Sequence, residues 1–358
     1  MKSVVTRIVA GFNAATVAMM LLVGFSDRFN PVAHPLFANL GLLFPLFLLL
    51  NVAFLAFWLV VCKKWALVSF AGLIIGFSPV RLYAPLNFPE DAPKGSIKVL
   101  SYNTFCFSTW KDPSEPCELV DYILGQDADI VCLQEAETDT RKRAIVDSLM
   151  ATKYAYNGRV AVEKTGADEI NLYSKMPILG KEQISKSDET YNAVAYKLKT
   201  GAKDTTLVVV CHFETTGLSP EDRTIFKSMV KGNLENTSAE KVSQRLWRKL
   251  GDASAKRAPQ ADAVAEYLAA NRGKSIILTG DFNDSPLSYV RRRLADELTD
   301  CYVATANGPG ISYHYSGFYV RIDNIMCSAD WTPYQCRVDN SIGASDHYPI
   351  VCWLKKRK

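Results

Sequence analysis

Histidine is scarce in this chain, with four in 358 residues. Nine cysteines are present, but they form no CxxC pair and no Cys/His zinc spacing, which excludes the common structural zinc motifs. A basic excess is missing as well, since 41 Lys and Arg stand against 37 Asp and Glu. That balance argues against a tight, non-specific nucleic-acid binder held by net charge, although a local patch stays open. There is no internal repeat and no low-complexity segment. The most informative gap lies in the first quarter of the chain. Before Lys94 the only bases are Lys2, Arg7, Arg28, Lys63, Lys64 and Arg81, and the only acids are Asp27, Glu90 and Asp91.

Three stretches there carry no charge: Ile8–Ser26, Pro35–Cys62 and Trp65–Val80. A helix needs roughly 20 apolar residues to cross a hydrocarbon core. The first stretch is about that long and the second exceeds it, with Pro45 marking a kink or a helix start nearer Leu46. The third reaches only about 24 Å as a helix, so two or three spans are open. Such uncharged length disfavours buried helices of a soluble domain. A cleavable signal peptide fits poorly because more apolar sequence comes after it. Lys2 and Arg7 favour a cytoplasmic N-terminus, and Lys63 and Lys64 mark a second cytoplasmic turn. Three spans, the favoured number, deliver the chain beyond Arg81 to the extracytoplasmic side; two keep it inside. The expectation is a multi-pass membrane protein whose partner is the bilayer. Disulfides are open to an exported domain, yet Cys132 and Cys211 sit in apolar runs where a thiol behaves as a small hydrophobe.

The expected organisation is a transmembrane helical region over residues 1–82, a linker over 83–95 and a second domain over 96–358. Pro85, Pro89 and Pro93 without apolar periodicity mark the linker. Beyond it, "IKVLSYN" (Ile97–Asn103) reads as a strand. "ELVDYILGQDADIVCLQE" (Glu118–Glu135) reads as helix, turn and buried strand. "NAVAYKL" (Asn192–Leu198) and "TTLVVVCHFE" (Thr205–Glu214) come next as strands, and Ser219–Arg272 is helical and charged. Then come strand "KSIILTGDFN", helix "LSYVRRRLADEL" and closing strands "RIDNIMCS" and "YPIVCWL". Strands alternating with helices, with hairpin-like pairs among them, predict an α/β layered domain with mixed sheets.

The apolar strands end in polar residues: Asn103, Glu135, His212, Asp281 with Asn283, Asp323, and Asp346 with His347. Sheets of this kind bind ligands at strand ends, where loops project side chains into a shared crevice. Carboxylates, amides and imidazoles without a motif thiol suit Mg²⁺ or Mn²⁺ rather than zinc. A histidine beside such a centre serves as acid, base or charge stabiliser. Taken singly, each residue has a plainer reading. Asn103 and Asp281 with Asn283 are turn formers, Glu135 a solvated charge and His212 a satisfied strand histidine. Asp284-Ser285-Pro286 reads as turn chemistry, with Asp284 capping the next helix. Arg291 to Arg293 read as a solvated helix face, with contact to an anionic substrate as the alternative.

The segments "LSYNTF", "DIVCLQE", "VVVCHFE", "ILTGDFNDSP", "YVRIDNIMCS" and "SDHYPIV" resemble the successive motifs of the endonuclease/exonuclease/phosphatase superfamily. That superfamily holds DNase I-like nucleases, abasic-site endonucleases, neutral sphingomyelinases and inositol polyphosphate phosphatases. The resemblance runs from Ile97 to Leu354 and implies a DNase I-like two-sheet mixed β-sandwich flanked by helices. It implies Glu135 as principal metal ligand, Asn103 beside it, and Asp346 able to join. Asp281 would orient or deprotonate the attacking water, Asn283 would hold a phosphate oxygen, and His212 would stabilise charge on phosphorus. His347 would be a second catalytic histidine with its tautomer set by Asp323. Cys211 before His212 and Phe213-Glu214 after it depart from the family pattern and leave the role of Glu214 open. His314 has no assigned counterpart and reads as a surface or substrate-rim residue.

The function implied is a membrane-anchored, metal-dependent phosphoester hydrolase. Its substrate is a phosphoester of nucleic acid or of a lipid head group, with monoester and diester cleavage both open. The alternative is a membrane-tethered binding module that keeps the fold without catalysis. No protein partner is inferable.

Overall fold

The computed structural model describes residues 2–161, 169–184, 193–230, 236–315 and 317–357. Asn192 of a predicted strand, residues 231–235 of the predicted helical stretch and Ser316 lie outside them. The uncharged N-terminal sequence builds helix: α1 (Lys2–Gly24), a short α2 (Pro35–Ala38), α3 (Phe44–Val61), α4 (Lys63–Ile75) and α5 (Phe77–Tyr83). Two segments, Val4–Arg28 and Pro35–Val61, are long and apolar enough to cross a membrane. Pro45 lies in the first turn of α3, where its missing N–H has no intrahelical partner to lose, so it starts the helix rather than kinking it. The third apolar stretch is broken: α4 and α5 meet at a 66° bend. Pro79, four residues after Ile75, can neither donate to that carbonyl nor avoid it, which accounts for the break.

Helices α1, α3 and α4 pack around a small polar network. Asn13 Nδ2 donates to Ser69 Oγ at 2.9 Å, Trp58 Nε1 to Asn13 Oδ1 at 3.1 Å, and Asn51 Nδ2 to the Ser69 carbonyl at 3.2 Å. Polar groups in an apolar bundle need such partners. The end of α1, the start of α3 and α5 come together, since a Cβ on Gly24 would lie 2.9 Å from the Phe44 ring and 3.1 Å from Pro79.

The rest of the chain runs β1 (Ile97–Asn103), α6 (Glu118–Gln126), β2 (Ile130–Gln134), α7 (Thr140–Met150), β3 (Tyr156–Ala161), β4 (Glu169–Ser174), β5 (Ile178–Ile184), β6 (Ala193–Lys199) and β7 (Thr205–His212). It continues with α8 (Pro220–Val230), α9 (Asn236–Ala270), β8 (Ser275–Asp281), α10 (Tyr289–Ala295), β9 (Thr299–Asp300), α11 (Cys301–Thr305), β10 (Asp323–Cys327), β11 (Trp331–Val338) and β12 (Ile350–Lys356). Two six-stranded sheets result, ordered β11-β12-β1-β2-β4-β3 and β5-β6-β7-β8-β10-β9. Both are mixed: β1/β2 and β7/β8 are parallel, and β1/β12 and β8/β10 antiparallel.

Period-two alternation sorts the strand residues into layers. Val99, Ile130, Val208 and Ile277 point between the sheets and form one core. Leu100 and Val131 face outward under α6 and α7, while Val209 and Leu278 face α9. The architecture is the two-sheet mixed sandwich flanked by helices. All nine cysteines are thiols. Burial pushes Cys132 and Cys211 well above the ordinary thiol range, in keeping with inert core residues.

The helical region is docked on the sandwich. Trp247 Nε1 of α9 donates to the Leu36 carbonyl at 2.9 Å, and Ser254 Oγ to Asn39 Oδ1 at 3.2 Å. Buried Arg321 donates to the Leu82 and Pro309 carbonyls, both at 2.5 Å, so a guanidinium sits at the C-terminal end of α5 where the helix dipole favours it. The stretch between α5 and β1 is pinned too, with Asn87 Nδ2 donating to the Val303 carbonyl at 3.1 Å.

Candidate active site

Strand register assembles the site. β7 and β8 are parallel with His212 opposite Asp281, and β10 is antiparallel to β8 with Asp323 opposite Asp281. Three of the polar strand ends thus share one rung. In the facing sheet Asn103 lies opposite Gln134, and Glu135 is the very next residue. Glu135 and Asn283 have φ of 47° and 52°, the left-handed region that non-glycine residues seldom adopt. Such conformations cost about 1–3 kcal/mol and concentrate at functional sites. Here they turn the chain at two strand ends and leave both side chains in the gap.

The distances are short. Asn103 Nδ2 donates to Glu135 Oε1 at 3.0 Å and to Asp281 Oδ2 at 3.1 Å, linking the two sheets. His212 Nε2 lies 3.5 Å from Glu135 Oε1 and 3.9 Å from Asp281 Oδ2. His347 Nε2 is 3.6 Å from Asp281 Oδ2, and its Nδ1 is 2.9 Å from Asp323 Oδ2. Ser345 Oγ accepts from the His347 N–H at 3.2 Å and donates to the Asn103 carbonyl at 2.8 Å, tying the last loop to β1. The Asn283 N–H donates to Asp281 Oδ1 at 2.7 Å, and its Nδ2 to the Phe213 carbonyl at 2.9 Å. Glu135, Asn283, Asp346 and His347 line one cleft of about 260 Å³. A larger surface concavity of about 780 Å³, lined by His314 and Arg337 among others, contains none of the carboxylate cluster.

Electrostatics separate the roles. Burial raises Asp281 to about 6, against the opposing charge of His347. Burial also works against charge on His347, but the Asp323 and Asp281 carboxylates outweigh it and hold the ring at about 10. Asp346 is raised by burial, and the nearby Glu135 charge adds to that rise. An ionisable carboxylate therefore sits beside a lasting imidazolium.

The residues fit a hard cation. Asp281, Asp323 and His347 offer donor atoms within 4.8 Å of one another, but His347 Nδ1 is engaged by Asp323, and a charged ring is no ligand. The better oxygen set is Glu135 and Asp346, since Asn103 turns its Nδ2 toward Glu135 and Asp281 and its Oδ1 toward the Phe105 N–H at 3.0 Å. Among the described residues Asp346 Oδ1 is buried and accepts no hydrogen bond, and the two acids are close enough for one charge to raise the other. A donor set of carboxylate oxygens suits Mg²⁺ or Mn²⁺.

Of the residues expected from the strand ends, Glu135, Asn283, Asp346 and His347 line this cleft, and Asn103, His212, Asp281 and Asp323 are buried beside them. Neighbouring expectations need correction. Asp284 does not cap α10; Ser288 does, accepting from the Arg291 N–H at 3.2 Å. Asp284 instead meets Arg257 Nε at 3.4 Å, and Arg257 further donates to Ser254 Oγ at 2.8 Å and to the Glu214 carbonyl at 3.1 Å. Of Arg291 to Arg293, Arg292 is exposed as on a solvated face, whereas Arg291 and Arg293 pair with Asp300 and Asp262, each at 2.9 Å. His314 stacks on Tyr348 with ring centroids 3.8 Å apart.

Sequence reasoning missed Arg223, Tyr313, Asn39 and Leu42, which also line the cleft. Arg223 stands over the Tyr315 ring at 5.2 Å, and Tyr313 meets the His347 ring edge-on at 5.1 Å. Arg223 lies in a charged helix start, and Asn39 and Leu42 lie in the apolar region, so neither carried a motif.

The family model described as "Endonuclease/Exonuclease/phosphatase family" matches residues 100–347. A second, described as a domain of unknown function, matches residues 6–83. Among curated proteins no sequence matches this one. Solved structures do. The human Nocturnin catalytic domain with bound sulfate is 17% identical at a TM-score of 0.52, covering 75% of this chain and 96% of that one. The endonuclease/exonuclease/phosphatase from Beutenbergia cavernae is 16% identical at 0.51, covering 73% and 72%. D. rerio TDP2 complexed with single strand DNA product is 13% identical at 0.50, covering 74% and 100%. At these identities the likeness is one of fold.

Proposed function

This chain belongs to the endonuclease/exonuclease/phosphatase family, and on that premise we propose that it is a membrane-anchored, divalent-metal-dependent phosphoester hydrolase. The supporting observation is that Glu135, Asp346 and His347 line one cleft while Asp281 and His212 lie within 4 Å of them. Glu135 and Asp346 would hold Mg²⁺ or Mn²⁺, with Asn103 holding the Glu135 carboxylate in place. Such an ion supplies Lewis-acid charge to a phosphoryl oxygen. Asp281, fixed by Asn103 and the Asn283 N–H, orients a water and accepts its proton. The water oxygen bonds to phosphorus as the ester P–O bond breaks, and the leaving oxygen takes a proton from solvent.

His347 remains an imidazolium because Asp323 faces its Nδ1, and its Nε2–H meets the charge that builds on the phosphoryl oxygens. His212 Nε2 supplies a second contact. Asn283 offers a phosphate oxygen the amide hydrogen not used by Phe213. Loss of one such donor typically costs about 10²–10³ in rate.

Residues 1–82 serve as the anchor, residues 83–95 as the connection and residues 96–358 as the catalytic domain. The α3–α4 turn carries Lys63 and Lys64, while the α1 end, α3 start and α5 lie together at the sandwich. Positive charge favours the cytoplasm. The anchor is therefore multi-pass, and the catalytic domain faces the extracytoplasmic side.

The test is hydrolysis of bis(p-nitrophenyl) phosphate by the full chain in detergent with Mg²⁺ or Mn²⁺, then with chelator. Turnover that chelation stops and Asp281→Asn lowers at least a hundredfold supports the reading. A binding module turns over nothing in either form.

A further inference from the structure

The cleft is not made by the sandwich alone. Asn39 and Leu42, which line it, lie between α1 and α3, at the N-terminal end of the second segment long enough to span a membrane, Pro35–Val61. These residues lie where α1 and α3 would leave the hydrocarbon, so one wall of the cleft is placed at the bilayer surface. We propose that the phosphoester hydrolysed here is carried by a membrane lipid, whose head group enters past Leu42 while its apolar part stays in the bilayer. This rests on the hydrolase reading above and names its substrate class.

Three features carry the proposal. The first is rigidity. A Cβ on Gly41 would lie 2.5 Å from the Leu287 carbonyl, so this segment packs backbone to backbone on the loop that comes after Asn283. Asn39 is bonded to Ser254, Ser254 to Arg257, and Arg257 to Asp284. Arg321, two residues before Asp323, is bonded to the end of α5. The membrane-proximal wall and the catalytic loops are thus joined through buried polar contacts on two sides of the site.

The second is polarity. Away from the carboxylates the cleft is lined by Leu218, Leu250, Val320 and Ile322. Leu36, Phe37, Leu42 and Leu43 of the membrane-proximal segment all expose more than a third of their surface. An apolar approach beside a cluster of charge fits a substrate with one phosphate and a hydrocarbon body.

The third is charge. Among the described residues the arginines lining the cleft are Arg223 and Arg257, and Arg257 is committed to Asp284, Ser254 and the Glu214 carbonyl. A nucleic-acid strand presents a phosphate at every nucleotide and is held by a basic track. A single guanidinium suits a single phosphate.

The experiment uses the full chain in nonionic mixed micelles with Mg²⁺. Substrates are dioleoyl phospholipids with choline, ethanolamine, glycerol and inositol head groups and dioleoyl phosphatidic acid. Their dibutanoyl counterparts, a single-stranded DNA oligonucleotide and bis(p-nitrophenyl) phosphate complete the set. The expected result is a kcat/KM at least tenfold higher for one dioleoyl lipid than for its dibutanoyl form and for the oligonucleotide. In Leu42→Asp that chain-length preference should fall at least tenfold. The preference of the unaltered protein decides the matter should the variant fail to fold. Cleavage of the oligonucleotide, a dibutanoyl lipid or the artificial diester, with no dioleoyl lipid preferred, overturns this inference and leaves the hydrolase reading standing. No turnover of any phosphoester overturns both.

Discussion

His347 Nδ1 and Asp323 Oδ2 lie 2.9 Å apart with both side chains at most 5% exposed. The carboxylate fixes which ring nitrogen faces the cleft and keeps the ring charged. Asp323→Asn retains the shape but removes the charge, so kcat on a phosphodiester should fall roughly 10³-fold with KM little altered. Steady-state kinetics beside a circular dichroism spectrum check this.

The pH profile is set by two groups. Asp281, raised to about 6 by burial, is needed as a base, so rate should fall as pH drops through that value. His347, held at about 10 mainly by Asp323 and Asp281 against burial, is needed charged, so rate should fall again as pH rises through that value. The expected plateau lies between them. In Asp323→Asn the upper limb should move to lower pH, which a log kcat against pH plot reads directly.

Glu135→Gln keeps the Asn103 contact possible but halves the negative charge offered by the Glu135 and Asp346 pair. Mn²⁺ affinity, followed by the loss of the free-ion paramagnetic resonance signal, should weaken by about 10- to 100-fold. Chelation should abolish the residual rate.

Gly280 has φ of 131°, and a Cβ there would lie 2.0 Å from the Cys211 carbonyl oxygen. Gly280→Ala therefore has to part β7 from β8 next to His212. A loss of roughly 3 kcal/mol or more is expected, seen as a lower midpoint in chemical denaturation, with activity lost alongside.

Arg257 is 1% exposed and faces Asp284, which burial raises. Arg257→Ala strands that carboxylate and cuts the path to Asn39. A destabilisation of about 3–5 kcal/mol is expected. Arg257→Ala with Asp284→Asn should recover part of it, which a double-mutant cycle measures.

Much of this was legible in the sequence because the central strands advertise themselves. β1, β2, β7 and β8 are apolar runs closed by a polar signature, and β10 and β12 are runs that open on or closely follow one, so register brings these signatures to one end of the sandwich. The strands without a signal include the four sheet edges, β3, β5, β9 and β11. β5 is largely exposed, and β11 carries Pro333 and a bulge near Gln335. Edge strands have one ladder neighbour and tolerate such residues, so their apolar rhythm is lost. Central β4 was hidden differently: Glu169 and Asn171 look solvated in sequence, and burial of Glu169 depends on Arg143 and Arg159. The capping role given to Asp284 failed because its partner lies 27 residues upstream on another helix, which no local pattern reveals.

The shared rung of His212, Asp281 and Asp323 has a consequence for how this chain can change length. Side chains swap faces at every residue of a strand, so deleting one residue within Ser275–Gly280 would turn Asp281 out of the crevice even with the ladder re-formed. Insertions in surface loops leave that alignment untouched. Indels are thus confined to the turns, while the strands must keep an unbroken count.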